Sequence, residues 1–248
     1  MTLEICCDSV ASALIAEAHG ADRIELCENL DHGGVTPSAG KIELAKEKIN
    51  IPVLVLVRPR KGDFFHSDTE FELIKRDIRL AKQFGADGIV AGALLPNGQL
   101  DIDRTAQLIE QAAPLPFTFH RAFDHCHDPQ KTLEQLIRLG VSRLLTSGQA
   151  NSAIEGIALL ETLLKIAGDQ IEIIAGGGIR PRNIDDLIEA LPDLNTFHSS
   201  ARKLVHSGMN IRTQVAMGTE SADLEGQWYE VDGQQVSDMR KILDDSRQ

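Results

Sequence analysis

The segment LEICCDSVASALIAEAHGADRIELC (residues 3–27) decides the fold, because it contains a strand, a helix and a second strand joined by short turns. Leu3–Cys7 and Arg23–Cys27 are short apolar runs, and the residues between them have helical periodicity. Ser9 is placed to cap this helix and Gly20 to end it. Strand and helix alternating over short connections indicate a parallel sheet covered by helices.

The same unit recurs along the whole chain. Six further apolar runs follow: Val53–Arg58, Gly88–Gly92, Phe117–Arg121, Arg143–Ser147, Ile171–Gly176 and Asn195–Ser199. Helix starts are predicted at Thr36-Pro37, at Ser67 with Glu70, and at Asp128-Pro129. Weaker helices are expected near Asp103–Ala113, Ser152–Ala167, Asn183–Ala190 and Val236–Asp244. Eight such repeats predict an α/β protein, a single-domain (β/α)8 TIM barrel over residues 1–248.

One long segment after the eighth strand departs from this pattern. Arg202–Asp232 contains glycine and has little periodicity, so we expect a long loop there. Loops that follow barrel strands lie at the functional mouth, which makes this one a candidate lid. The alternative is a disordered segment or one that only packs against the barrel.

Composition excludes several classes of protein. The 248 residues include 25 basic and 37 acidic ones, giving a net charge of −12, and they form no basic block. A surface for nucleic acid or anionic membranes is therefore not expected. No run of about 18 apolar residues predicts a membrane span. The first strand begins at Leu3, which leaves no room for a signal peptide, and four cysteines do not form a secreted disulfide framework; we expect a cytoplasmic protein with reduced thiols.

Alternation along the strands sorts the polar residues. In a closed barrel every second residue faces the lumen, and the others face the dry layer beneath the helices. An ionised group is costly in that layer, so Glu4 and Glu25 are predicted to point inward. The same alternation places Cys6 and Cys27 in the lumen and turns Cys7 outward. Further inward residues by this argument are Arg58, Thr118, His120 and His198. A buried ion cluster that only fills the barrel remains the alternative for Glu4, Glu25 and Arg58.

Glycines at the end of the seventh strand and a serine at the end of the eighth indicate an anion site. Loops seven and eight of many barrels bind phosphate through backbone N–H groups. The candidates for this role are Gly176, Gly177, Gly178, His198 and Ser199. Arg58, Arg60 and Arg121 would add charge-assisted contacts to a phosphate or carboxylate.

Three side chains are candidates for general acid or base catalysis: Glu25, His120 and Asp124. They predict, as an alternative to a binding protein, a TIM-barrel enzyme that acts on a small anionic metabolite. No strand carries a lysine, which argues against Schiff-base chemistry.

A series of short motifs covers nearly the whole chain. They are EIC (4–6), ADRIELC (21–27), GGVTPS (33–38), RPRKGDF (58–64), TFHRAFD (118–124), LTSG (145–148), GGGI (176–179) and VDG (231–233). Together they resemble the CutC family of copper-homeostasis proteins. The resemblance implies a cytoplasmic βα barrel, often an oligomer. Lys61 stands where the family usually has glycine, which affects the loop conformation rather than the fold.

The resemblance also implies a metal site. In this family the cysteines of the first two strands are the proposed Cu(I) ligands, which match Cys6 and Cys27 here. Thiolate is the soft ligand that Cu(I) prefers, and neighbouring strands lie about 4.8 Å apart. Three alternatives stay open: cysteines that serve as small apolar side chains, a harder divalent ion held by Glu25, His120 and His198, and a scaffold or interaction protein with no site.

Overall fold

The computed structural model describes residues 1–211, 214–217 and 221–246, and it confirms the predicted TIM barrel. Eight parallel strands close into a ring in chain order, with β8 beside β1. The strands are β1 Thr2–Cys7, β2 Arg23–Leu26, β3 Val53–Leu56, β4 Gly88–Ala91, β5 Phe117–Phe119, β6 Arg143–Thr146, β7 Glu172–Gly176 and β8 Thr196–Ser199. The helices are α1 Val10–Ala18, α2 Ala39–Lys48, α3 Asp68–Gln83, α4 Ile102–Ala112, α5 Pro129–Arg138, α6 Ile157–Ala167, α7 Ile184–Ala190 and α8 Gly233–Asp245.

The core has two parts, as the strand alternation predicts. Leu3, Ile5 and Cys7 belong to the large apolar layer between strands and helices. Cys6 and Cys27 lie in a smaller buried cluster with Leu54, Leu56 and Val90. Cys7 therefore faces away from the lumen, while the other two strand cysteines face each other inside it. Within the described ranges, no helix has both the length and the apolar character that a membrane span needs.

Most helix starts follow the sequence signals. Ser9 accepts a hydrogen bond from the Ser12 amide at 3.0 Å, and Ser67 forms a full capping box with Glu70. Asp128 caps α5, whose first residue is Pro129. These side chains satisfy backbone N–H groups that the first turn of a helix leaves without partners.

The predicted cap at Thr36-Pro37 is wrong by two residues. Ser38 caps α2, accepting from the Lys41 amide at 3.2 Å. Thr36 instead bonds the backbone of Arg58, accepting from its N–H at 3.0 Å and donating to its carbonyl at 3.1 Å. The tertiary contact thus takes the hydroxyl that would otherwise cap the helix.

The expectation of an irregular loop over residues 202–232 also needs correction. Its two ends pair as an antiparallel hairpin of β9 Arg202–His206 and β10 Gln227–Val231, and a short helical turn, Ala222–Gly226, precedes β10. Aromatic and β-branched residues favour these strands, although they are too short to show a clear period. Residues 212–213 and 218–220 of this segment lie outside the described residues. Its role as a lid stays a prediction.

Candidate functional site

A cavity of about 370 Å³ opens where the barrel strands end. Its lining comes from most of the strand ends and from the start of β9. Nine of the predicted site residues line it: Cys6, Glu25, Arg58, His120, Arg121, Gly177, Gly178, His198 and Ser199. The remaining lining residues are Leu30, Gly33, Leu56, Phe64, Leu145, Arg180, Ser200 and Arg202. The barrel therefore does bring most of the predicted residues to one mouth.

A pair of thiols lies at the floor of this cavity. The sulfur atoms of Cys6 and Cys27 are 3.6 Å apart, and Cys6 Sγ is 3.4 Å from Glu25 Oε1. Cys6 reaches the cavity wall, whereas Cys27 is fully buried behind it. The hydrogen bond to Cys27, burial and the nearby Glu25 raise the pKa of Cys6 well above its usual value. Cys6 is therefore a neutral thiol near pH 7, and any metal has to displace its proton.

Glu25 and His198 complete a group of soft and hard donors beside Cys6. One ligand atom from each of the three residues lies within 4.8 Å of the others. Burial raises the pKa of Glu25 despite the opposing charge of His198. Its Oε2 atom is buried and has no hydrogen-bond partner among the described residues. The cluster thus offers sulfur, oxygen and nitrogen to a metal ion.

An ion network below the cavity fixes His198. Its Nδ1 atom is 2.7 Å from Glu4 Oε1, and Arg23 Nε donates to the other oxygen of Glu4 at 2.5 Å. Burial alone would raise the pKa of Glu4, but the contacts with His198 and Arg23 hold it at about 2. Burial would lower the pKa of His198, yet Glu25 and Glu4 raise it overall. Glu4 is therefore an anion that orients the His198 ring, as hydrogen-bonded carboxylates often do behind metal-binding histidines.

His120 has the opposite character. Burial, with a further contribution from Arg58, lowers its pKa to about 3. Its Nδ1 atom accepts a hydrogen bond from the Ala122 amide at 3.3 Å, so Nε2 carries the proton of the neutral ring. The ring of Phe64 packs edge-on at 4.9 Å. His120 therefore stays neutral near pH 7, and its Nε2–H is buried without a hydrogen-bond partner among the described residues.

The predicted arginines divide into two groups. Arg58 lines the cavity but donates its hydrogens to backbone carbonyls, including Gly34 at 3.1 Å and Gly62 at 2.6 Å. Arg58 holds two loops together, and its buried Nε atom has no hydrogen-bond partner among the described residues. Arg60 is not among the residues that line the cavity and pairs with Glu70 at 2.6 Å and Asp63 at 3.0 Å, so its contact with an anion stays a prediction.

Two further predicted residues hold structure rather than face the cavity. Asp124 accepts from Arg121 Nε at 2.7 Å, Thr146 Oγ1 at 2.5 Å and the Ser147 amide at 3.1 Å, so its carboxylate is fully engaged. It positions Arg121 and the loop after β6 and is not among the residues that line the cavity, so its role as an acid or base stays a prediction. Gly176 packs under Leu145, whose Cδ1 atom would be 2.7 Å from an added Cβ.

Sequence reasoning missed Arg180 and Arg202. The run Arg180-Pro181-Arg182 repeats the Arg58-Pro59-Arg60 pattern, and in both runs the first arginine lines the cavity. That repetition is the signal that identifies Arg180. Arg202 enters from the hairpin, which the expectation of a loop did not place.

The sequence was also compared with models of known protein families. A family model described as CutC matches residues 1–203. The chain belongs to the CutC family. This confirms the resemblance drawn from the motifs and places the chain among copper-homeostasis proteins.

Relatives within the family match almost the whole chain. The copper homeostasis protein cutC homolog of Homo sapiens is 47% identical over 241 residues, covering 97% of this chain and 86% of that protein. The family protein CutC of Chromobacterium violaceum is 44% identical over 243 residues, covering 98% of each. A crystal structure assigned as CutC from Streptococcus agalactiae has a TM-score of 0.76 and 33% identity, covering 81% of this chain and 98% of that one.

Proposed function

We propose that this chain binds Cu(I), as the cargo of a copper-homeostasis protein, through the thiols of Cys6 and Cys27. The observation that carries the proposal is the 3.6 Å separation of the two sulfur atoms in the barrel lumen. Metal–sulfur bonds of about 2.3 Å would span about 4.6 Å in a straight line. The shorter separation suits a bent pair of bonds and leaves room for a third donor.

His198 is the third donor that fits best. Its Nδ1 atom is bonded to Glu4, so Nε2 is the nitrogen left to a metal. Imidazole and thiolate suit a copper ion better than the hard carboxylate of Glu25 does. Because the thiols must lose protons, Cu(I) binding releases protons and tightens as pH rises. Reduced thiols fit a cytoplasmic location, and the oligomeric assembly implied by the family belongs to the same proposal.

The test is an anaerobic Cu(I) titration against a competing chelator. We expect wild type to bind one Cu(I) and the Cys6→Ser, Cys27→Ser double variant to lose that binding. Cys7→Ala is the matched control, because Cys7 is equally buried but faces the helices. Circular dichroism checks that each variant is folded. Wild-type affinity in a folded double variant would contradict the proposal.

A second candidate is an enzyme acting on a small anionic metabolite. Glu25 favours it, because this cavity-lining carboxyl group has a raised pKa and one oxygen without a partner among the described residues. A cavity carboxyl group with a raised pKa is a candidate general acid or base. The test is turnover of an anion first found by binding, with activity abolished in Glu25→Gln. Undiminished turnover in that variant would contradict the role of Glu25.

A further inference from the structure

The cavity carries more positive charge than the structure balances. Four arginines line it: Arg58, Arg121, Arg180 and Arg202. Arg121 forms an ion pair with Asp124, and Arg202 forms one with Asp31. Neither Arg58 nor Arg180 has a carboxylate within salt-bridge distance in the described part of the chain. Two uncompensated guanidinium groups thus face one cavity of a protein whose net charge is −12.

Arg180 is held with hydrogens to spare. Its Nη1 atom donates to Ile179 O at 2.8 Å and Ser199 Oγ at 3.1 Å, and Nη2 donates to Ser200 Oγ at 3.1 Å. A guanidinium has five N–H donors, so these three bonds leave one on Nη2 and one on Nε. Ser200 accepts from Arg180 and keeps its own hydroxyl proton to donate. The pair forms a preorganised set of donors at the cavity wall.

The glycine turn after β7 adds close backbone access. Gly177 and Gly178 have backbone φ values of +105° and +73°, which residues other than glycine rarely adopt. A Cβ on Gly177 would lie 3.1 Å from Ser147 Cβ and 3.7 Å from Arg121 Cζ. Without side chains, this turn lets a ligand approach both the backbone and Arg121.

We infer that Arg180, Ser200 and the Gly177–Gly178 turn form a binding site for the phosphate group of a small phosphate monoester. A phosphate monoester carries about −1.5 to −2 charges at pH 7, which matches two unpaired arginines, whereas a monocarboxylate matches only one. The hydroxyl and guanidinium donors complement its several oxygens. No thiol is among these donors, so the site is independent of the Cu(I) proposal. It deepens the second candidate function by naming the substrate class.

The test measures binding rather than turnover. Isothermal titration with glycerol 3-phosphate and with inorganic phosphate is compared with acetate and chloride at equal ionic strength. We expect both phosphates to bind wild type and the two control anions not to bind. Arg180→Gln should weaken binding at least tenfold, since charge-assisted hydrogen bonds are lost. Arg182→Gln, which removes the same charge from an exposed neighbour outside the cavity, should stay within twofold of wild type.

Further variants separate this proposal from the others. Ser200→Ala should weaken phosphate binding severalfold. This variant tests the site if Arg180→Gln does not fold. The Cys6→Ser, Cys27→Ser variant should bind phosphate as wild type does, and Arg180→Gln should still bind Cu(I). Phosphate binding without turnover would contradict the proposed enzyme activity but support the phosphate site. Equal binding by Arg180→Gln, Ser200→Ala and wild type, or no preference for phosphate over acetate, would overturn it.

Discussion

Glu4 lies at the point where the first and last barrel strands meet. It is 1% exposed and is shared by Arg23 and His198. Replacing it by glutamine removes the buried anion that pairs with His198 and Arg23, and Arg23 keeps only its bond to the partly exposed Glu172. We therefore expect Glu4→Gln to lower the free energy of unfolding by about 3–5 kcal/mol. Urea denaturation followed by circular dichroism at pH 7 measures this change.

A surface variant provides the control for Glu4. Glu155 is exposed and has no ion pair in the described chain, so Glu155→Gln should change stability by less than about 0.5 kcal/mol. If the two variants unfold at the same urea concentration, the network around Glu4 is not a source of stability.

His120 makes stability depend on pH. Its pKa is about 3 in the folded chain and 6.5 as an ordinary histidine, so the unfolded state binds the proton first as pH falls. The stability from its neutral ring is present above pH 6.5 and decreases at lower pH, by up to about 1.4 kcal/mol per pH unit. Urea unfolding at pH 6.5 and 4.5 should show a smaller difference for His120→Gln than for wild type. Exposed His127 supplies the control, and a slope unchanged in His120→Gln would contradict the prediction.

The direction of a side chain was predictable for residues within strands and less predictable for residues just beyond them. Period-two alternation places Cys6, Glu25 and His198 in the lumen as soon as the strand is recognised. Asp124 lies in a helical turn after β5, where its direction depends on hydrogen bonds to the next loop. Arg180 lies in a similar position after β7. No local periodicity determines where such side chains point.

At the scale of single elements, the capping box of α3 is the clearest local signal. Ser67 Oγ accepts from the Glu70 amide at 3.2 Å, and Glu70 Oε2 accepts from the Ser67 amide at 2.7 Å. We expect Ser67→Ala to cost about 1 kcal/mol and Ser67→Asp to cost much less, because aspartate also caps helices well. Thermal unfolding of both variants measures the difference. Equal losses would show that the hydroxyl does not act as a cap.

Element boundaries were less predictable where distant parts of the chain compete for one group. The sequence predicts a cap at Thr36, but its hydroxyl bonds the backbone of Arg58, and Ser38 caps the helix instead. The β9–β10 hairpin is likewise held by distant contacts. The Val231 amide donates to Ser12 Oγ at 3.2 Å, and the Asp232 amide donates to the Ala201 carbonyl at 2.7 Å.

At the scale of the whole molecule, unfolding of the hairpin and unfolding of the barrel can be followed by different spectroscopic signals. The chain has one tryptophan, Trp228, which lies on β10 and is 46% exposed. Far-UV circular dichroism reports mainly the barrel, whereas tryptophan fluorescence reports the hairpin. The hairpin buries little surface, so we expect its transition at lower urea than that of the barrel. Coincident transitions would show that both unfold as one cooperative unit.

The closed barrel was predictable because eight strand–helix repeats in 248 residues fit few other architectures. The chemistry of its mouth was only partly predictable, since it depends on which side chains neutralise one another. Arg121 and Arg202 each have an acidic partner, but Arg180 has none in the described chain. Such pairing is a property of the assembled molecule.

The unpaired arginines of the cavity have a kinetic consequence. A distant anion meets the repulsion of a molecule with net charge −12, and attraction dominates only at the mouth. Salt screens distant repulsion more strongly than contacts inside a partly closed cavity. Moderate salt would therefore raise the association rate of an anion and also raise its dissociation rate, so that exchange becomes faster at nearly constant affinity. The acidic surface therefore slows both the entry and the exit of an anion at the positively charged cavity.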